Sequence, residues 1–168
     1  MASRTHEVPA YLIPINTAAR DAHVALFDLQ LECLNVYEFN LPYGFKMDVL
    51  IFIKMLEKAT ETIERYQRRL TRAPPQLEEP GLQRYFIQNI DDHLARSDAM
   101  YMDTIDFKPH QNLLRRHFRL KEKAKQAFTA IGVLIQRFAL TSDHLIDVRD
   151  EILDLYITID QADLHPIE

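Results

Sequence analysis

The chain has 168 residues, and its 25 acidic and 20 basic side chains give a formal net charge of −5 with histidine neutral. Hydrophobic residues make up 47% of it, which is typical of one soluble globular domain with a core of its own. With three glycines, three serines and one cysteine, the sequence excludes a Gly-rich phosphate loop, a Gly-x-Ser-x-Gly elbow and a Cys-x-x-Cys zinc knuckle.

The chain carries no signal for a membrane or for export. It has no run of about 18 apolar residues, and its N-terminal stretch lacks the basic region and continuous apolar region of a signal peptide. We therefore expect no membrane partner and a cytoplasmic location, which a single thiol at Cys33 fits.

Residues 1–16 are predicted to form an extended N-terminal arm, and residues 17–168 a single helical domain. Pro9 and Pro14 oppose a helix, while the four residues between them are apolar. An apolar arm of this kind lies either in a groove of its own domain or on a second subunit.

Two helices are predicted to follow the arm. The first runs from Thr17 to about Phe39, because large apolar residues recur every three or four positions. A turn with Pro42 and Gly44 leads to the second, from about Lys46 to Arg72, whose first half is apolar enough to be buried on most sides. The predicted core face of the first helix consists of Val24, Phe27, Leu31, Leu34 and Tyr37.

Three more helices are predicted after the proline-rich stretch 73–81. The third helix begins near Leu82, with an apolar face that extends to Ile105. The fourth begins at Pro109 and ends near Leu140, and Thr141 and Ser142 cap the fifth. No segment alternates with a period of two, so we expect an all-α, antiparallel bundle of about five helices.

Charge is sorted along the chain into blocks. Residues 108–140 hold eight bases and one acid, whereas residues 141–168 hold eight acids and one base. The basic residues cluster on one flank of the fourth helix, in its N-terminal half, where the helix dipole disfavours cations. Either acids elsewhere in the fold neutralise this flank, or it binds nucleic acid or an acidic partner. Its residues are Arg115, Arg116, Arg119 and Lys123.

The fifth helix combines an acidic stripe with two apolar edges. A terminal helix in a monomer needs only one buried edge, so the second edge predicts a contact with another subunit or protein. The alternative is a helix packed deeply between two neighbours. The stripe consists of Asp143, Asp147, Asp150, Glu151 and Asp154, and the second edge of Ile146, Leu153 and Ile157.

Arg137 and His144 have the spacing R-x6-H. This spacing resembles the outer limit of the R-x4-6-H motif of HEPN-type ribonucleases, which are also all-α. The resemblance covers two residues, and Phe138 stands where that family usually has a polar residue. It implies that Arg137 and His144 would act on the scissile phosphate and the 2′-hydroxyl, typically across a dimer.

Metal sites in helical bundles need carboxylates and histidines three or four residues apart that point inward, as in Glu-x-x-His, which this chain lacks. We therefore expect no metal and no cofactor. The predicted function is a non-enzymatic interaction protein: a regulator, an immunity- or antitoxin-type inhibitor, or an assembly adaptor. It would bind a protein partner through charged and apolar helix faces and self-associate through the fifth helix or the arm. The alternative is a nucleic-acid-binding protein or HEPN-like ribonuclease.

Overall fold

A computed structural model describes residues 8–37, 40–74, 79–97, 105–138 and 143–164. These residues form helices packed on one another, and none of them lies in a strand, which confirms the predicted all-α bundle. The helices are α1 (Ile13–Val36), α2 (Tyr43–Thr71), α3 (Pro80–Ser97), α4 (Gln111–Leu114), α5 (Phe118–Phe138) and α6 (Asp143–Leu164), with 3-10 turns at Ala10–Leu12 and Lys108–His110.

The prediction of an extended arm over residues 1–16 is wrong for its second half. A 3-10 turn begins at Ala10 and α1 at Ile13, so Pro14 lies in the first turn of the helix. Proline is tolerated at this point because an N–H group there would have no partner within the helix. Leu12 is fully buried, and the Tyr11 hydroxyl donates to the Pro74 carbonyl over 2.7 Å. Residues 8–12 thus pack on their own domain, and residues 1–7 lie outside the described part.

The predicted fourth helix is broken in two. Residues 115–117 form a turn between α4 and α5, which the His117 amide closes by donating to the Leu114 carbonyl over 2.9 Å. In one unbroken helix Leu114 and Leu120 would point about 120° apart. The turn brings both side chains into the core, where each is almost fully buried. The predicted third helix is also shorter than expected, because α3 ends at Ser97 and Ile105 is buried outside any helix.

Four long helices build the bundle. Helix α1 packs against α2 on one side and α5 on the other, α5 also packs against α6, and α6 closes the ring against α2. The order of the polar contacts shows that neighbours are antiparallel: His23 of α1 meets Glu64 of α2, and Lys121 of α5 meets Asp160 of α6. Helix α3 packs mainly on α2. None of the described helices combines the length and the apolar character that crossing a bilayer requires.

Aromatic residues fill the centre of the bundle. The rings of Phe52 on α2 and Phe107, which precedes the second 3-10 turn, meet edge to face with centroids 5.4 Å apart. Beside them, a ring nitrogen of His110 lies 2.7 Å from an Asp48 carboxylate oxygen, and the Gln111 amide donates to the Thr158 carbonyl over 3.1 Å. These polar contacts fix the segment 107–111 between the beginning of α2 and the end of α6.

Candidate protein-interaction face

A row of large apolar side chains lies exposed on α1. Val24 is 52% exposed, Phe27 48%, Leu31 44% and Leu34 49%. Their positions follow a 3-4-3 spacing, which places them on one side of the helix. Such rows are uncommon on isolated soluble domains and mark surfaces that bind other molecules. We call this row the α1 face.

The α1 face corrects the predicted core face of the first helix. The side of α1 that is buried consists of other residues, centred about 160° around the helix from the α1 face. It is rich in alanine, which lets α2 and α5 approach closely. Helix α1 is therefore apolar on two sides, and the bundle covers only one of them. The buried side comprises Ile15, Ala18, Ala19, Ala22, Leu26, Leu29, Cys33 and Val36.

Polar pairs border the α1 face on both sides. Towards α2, a ring nitrogen of His23 lies 2.9 Å from a Glu64 carboxylate oxygen. Towards α5, the Lys123 ammonium lies 4.0 Å from an Asp28 carboxylate oxygen. The arrangement of an apolar centre inside a polar rim is that of a protein–protein interface.

A groove lies between the first half of α1 and the middle of α5. It encloses about 430 Å³ and is lined mainly by apolar atoms. Val133, on its α5 side, is 42% exposed. The four residues of the α1 face are not among those that line the groove, so the groove is a separate apolar surface near the beginning of α1. The other residues that line the groove are Ala18, Asp21, Lys125, Gln126, Thr129 and Ala130.

The partner-binding residues predicted on α6 range from exposed to half-buried. Asp147 and Asp150 are exposed, whereas Glu151 and Asp154 are half-buried. The side chain of Asp143 lies outside the described residues. On the predicted second apolar edge Ile146 and Leu153 are half-buried and Ile157 is 40% exposed. This edge leaves less apolar surface uncovered than the α1 face does.

The acidic stripe of α6 raises the pKa of its central carboxyl. Burial, together with the negative charges of Asp154, Asp147 and Asp150, raises the pKa of Glu151 to about 7, although a hydrogen bond with the Ile105 backbone lowers it in part. Burial and the nearby Asp106 also raise the pKa of Asp154, against the opposite effect of Lys108. Glu151 and Asp154 of the stripe thus lie close to residues 105–108.

We expect Glu151→Gln to stabilise the fold above neutral pH. Because its pKa is raised in the fold, Glu151 favours the folded state below its unfolded value of 4.5, and this contribution is lost as the pH rises towards 7. After allowance for solvent screening of a half-exposed group, the substitution should add about 1 kcal/mol at roughly pH 8.

The measurement for Glu151→Gln is urea unfolding across the pH range, with Glu122→Gln on the exposed side of α5 as the control. The wild-type chain should lose stability between about pH 4.5 and 7, and the Glu151 variant should lose less. Equal pH dependence in the two chains would contradict the prediction.

The basic cluster predicted on one flank of the fourth helix is divided by the turn. Arg115 and Arg116 lie in that turn, whereas Arg119 and Lys123 lie four residues apart on α5. Phe118 beside them is 62% exposed. The acids of α6 meet the basic helix at Lys121, whose ammonium lies 2.9 Å from Asp160. The predicted flank therefore belongs to α5 and to the turn before it. At Lys123 it adjoins the side of α1 that carries Asp28.

Arg137 and His144 differ in how far they are exposed to solvent. Arg137 is exposed in the last turn of α5, whereas His144, near the beginning of α6, is 5% exposed. An imidazole that takes a proton from a 2′-hydroxyl must reach the substrate. The burial of His144 therefore lends no support to a catalytic pair, and the resemblance to HEPN-type ribonucleases stays a prediction.

The described side chains contain no group of three or more histidine, cysteine or acidic residues that could hold a metal ion. Cys33 is buried in the core, and burial, followed by the charge of Glu32, raises the pKa of its thiol well above the usual value. A thiol of this kind stays protonated and is a poor nucleophile.

Sequence reasoning recognised the residues of the α1 face but placed them in the core. The signal that could have identified them is the second apolar row on the same helix, made of alanines, Leu26 and Leu29. Two apolar rows on opposite sides of one helix exceed what one bundle covers. In comparisons with family models, curated proteins and solved structures, no family, relative or structural neighbour matches the chain.

Proposed function

We propose that this protein is a non-enzymatic interaction protein that binds a protein partner through the α1 face. A regulator, an immunity- or antitoxin-type inhibitor and an assembly adaptor all work in this way, by covering a surface without reacting with it. The observation that carries the proposal is the exposed row Val24, Phe27, Leu31 and Leu34 inside its rim of polar pairs.

Energetics support this proposal. Covering the exposed half of each of these four side chains would contribute on the order of 1 kcal/mol apiece, which is a substantial part of a micromolar affinity. The polar pairs at the rim would contribute little affinity, but their carboxylates and the Lys123 ammonium would disfavour partners with the wrong charges. The α1 face therefore replaces α6 as the surface on which we base the predicted protein binding.

We expect Leu31→Asp to abolish partner binding without unfolding the chain. Leu31 is 44% exposed, so the carboxylate remains in water in the free protein and is buried only in a complex. The matched control is Ile157→Asp on α6, where the side chain is 40% exposed on a different surface. Circular dichroism would verify that both variants keep the helical fold.

The measurement is a pull-down from the native host with the wild-type chain and both variants, followed by calorimetry with the purified partner. The proposal predicts direct binding that Leu31→Asp weakens at least about 100-fold and Ile157→Asp leaves unchanged. If Ile157→Asp abolished binding and Leu31→Asp did not, the binding site would be on α6 and not on α1. The absence of any direct protein binding would contradict the proposed function.

The nucleic-acid alternative stays a prediction. Exposed Arg116, Phe118 and Arg119 combine positive charge with an aromatic ring, which are the two elements of single-strand binding. However, one exposed ring is weaker support for nucleic-acid binding than the contiguous row on α1 is for protein binding. The net charge of −5 for the whole chain also disfavours binding to phosphates.

A further inference from the structure

Resting on the proposed function, we propose that the partner of the α1 face is a second copy of this chain. The α1 helices of the two copies pack side by side and run in the same direction. A twofold axis parallel to both helices relates the copies. The inference combines the spacing of the exposed residues with the charges that border them.

The spacing of the α1 face is that of a coiled-coil seam. Val24, Phe27, Leu31 and Leu34 are separated by three, four and three residues, as are successive a and d positions of a heptad. Residues at these positions pack between four residues of an equivalent helix that crosses at about 20°. A surface with this period is complementary to a copy of itself, since a twofold axis places Val24 opposite Val24 and Leu31 opposite Leu31.

The residues beside the seam are compatible with a parallel pair. In a parallel coiled coil, the residue before an a position lies near the residue five positions later in the other helix. Here this rule joins His23 of one copy to Asp28 of the other, and Gln30 to Asn35. Neither pair brings like charges together.

The neighbouring helices border the seam with opposite charges. The contact of His23 with Glu64 shows which edge of α2 adjoins the α1 face, and helical spacing places Glu57 and Glu61 on that same edge. The base Arg68 also lies on this edge, one turn beyond Glu64 and beside the beginning of α1. The contact of Asp28 with Lys123 identifies the α5 edge in the same way, and Arg119 lies one turn away on it. The α2 border thus carries a net negative charge and the α5 border a net positive charge.

These borders distinguish the two possible twofold arrangements. With parallel α1 helices, the acidic α2 edge of each copy faces the basic α5 edge of the other. With antiparallel helices, α2 would face α2 and α5 would face α5, so like charges would oppose each other. Charges that approach within a Debye length, about 8–10 Å, select the orientation more than they add affinity. The parallel arrangement is therefore favoured.

Sedimentation equilibrium of the purified chain tests whether a second copy binds. We expect a dimer with a Kd on the order of 1 µM, the range of a small interface. Phe27→Asp should raise the Kd at least about 100-fold, and Ile157→Asp should leave it unchanged. A wild-type chain that stays monomeric at several hundred micromolar would overturn the proposal, as would a dimer that responds to Ile157→Asp alone.

Cysteine cross-linking tests the orientation. In the parallel dimer Val24→Cys chains form a disulfide with one another under mild oxidation, as do Leu34→Cys chains, because each residue lies opposite itself across the axis. In an antiparallel dimer the two variants would cross-link only when mixed, and this result would overturn the parallel arrangement. The native Cys33 is buried and does not compete.

Failure of this inference can be separated from failure of the proposed function. If the wild-type chain is monomeric but a different purified protein binds it in a manner sensitive to Leu31→Asp, the second copy is excluded and the function of the α1 face stands. If neither a second copy nor another protein binds, both proposals fail.

Discussion

Phe52→Ala is expected to lower the free energy of unfolding by about 3–5 kcal/mol, because it removes a buried ring and leaves a cavity that helices packed on all sides cannot fill. The Phe52 side chain is 2% exposed and meets Phe107 edge to face at the centre of the bundle. Since a small domain is stable by only about 5–15 kcal/mol, this single change would bring the protein close to unfolding.

The matched control for Phe52→Ala is Phe27→Ala, the same chemical change on the α1 face. Phe27 is 48% exposed, so its removal leaves no internal cavity, and we expect a change within about 1 kcal/mol. Both should be measured by urea unfolding followed by circular dichroism, at chain concentrations below those of self-association, because dimerisation stabilises the folded state. A large loss with Phe27→Ala would show that the α1 face is part of the core.

Ala22→Leu is expected to destabilise the fold by about 1–3 kcal/mol, because it adds three carbon atoms to a fully packed site. Ala22 is fully buried on the side of α1 that faces the bundle, among other small residues. A larger side chain there would push α1 away from its neighbours or force unfavourable rotamers.

Val24→Leu, two residues further along the same helix, is the control for Ala22→Leu. It also enlarges a side chain, but at a position 52% exposed, so thermal unfolding should shift little. The two substitutions also decide which side of α1 is buried. If Val24 faced the core, as its spacing alone predicts, Val24→Leu would be the more damaging change.

The acidic stripe of α6 affects the stability of the isolated chain, whereas the apolar row of α1 affects its solubility. On α6, burial and then repulsion by neighbouring acids raise the pKa of Glu151, and this weakens folding above neutral pH. On α1, exposed apolar side chains weaken solubility unless something covers them. Local features that reduce the stability or the solubility of an isolated monomer are expected at surfaces that bind a partner.

Local pattern was sufficient to predict the fold class and the position of the longest helix. Helix α2 occupies Tyr43–Thr71, close to the predicted span, because its apolar residues recur at helical spacing without a glycine or proline in its interior. The beginning of α2 after Pro42 and its end before Pro74 were also predictable, since proline cannot donate the hydrogen bond that a continuing helix needs. These features depend on neighbouring residues along the chain.

Which face of each helix is buried was decided by the tertiary structure. On α1 the larger side chains were predicted to be in the core, but the alanine-rich side is buried, because small residues let two helices approach together. The break at residues 115–117 has a similar origin, since Leu114 and Leu120 both enter the part of the core that residues of α1, α2 and α6 surround. By itself the sequence determined how often apolar residues return along each helix. The choice between two apolar rows depends on the shape of the neighbours, and packing in three dimensions alone decides it.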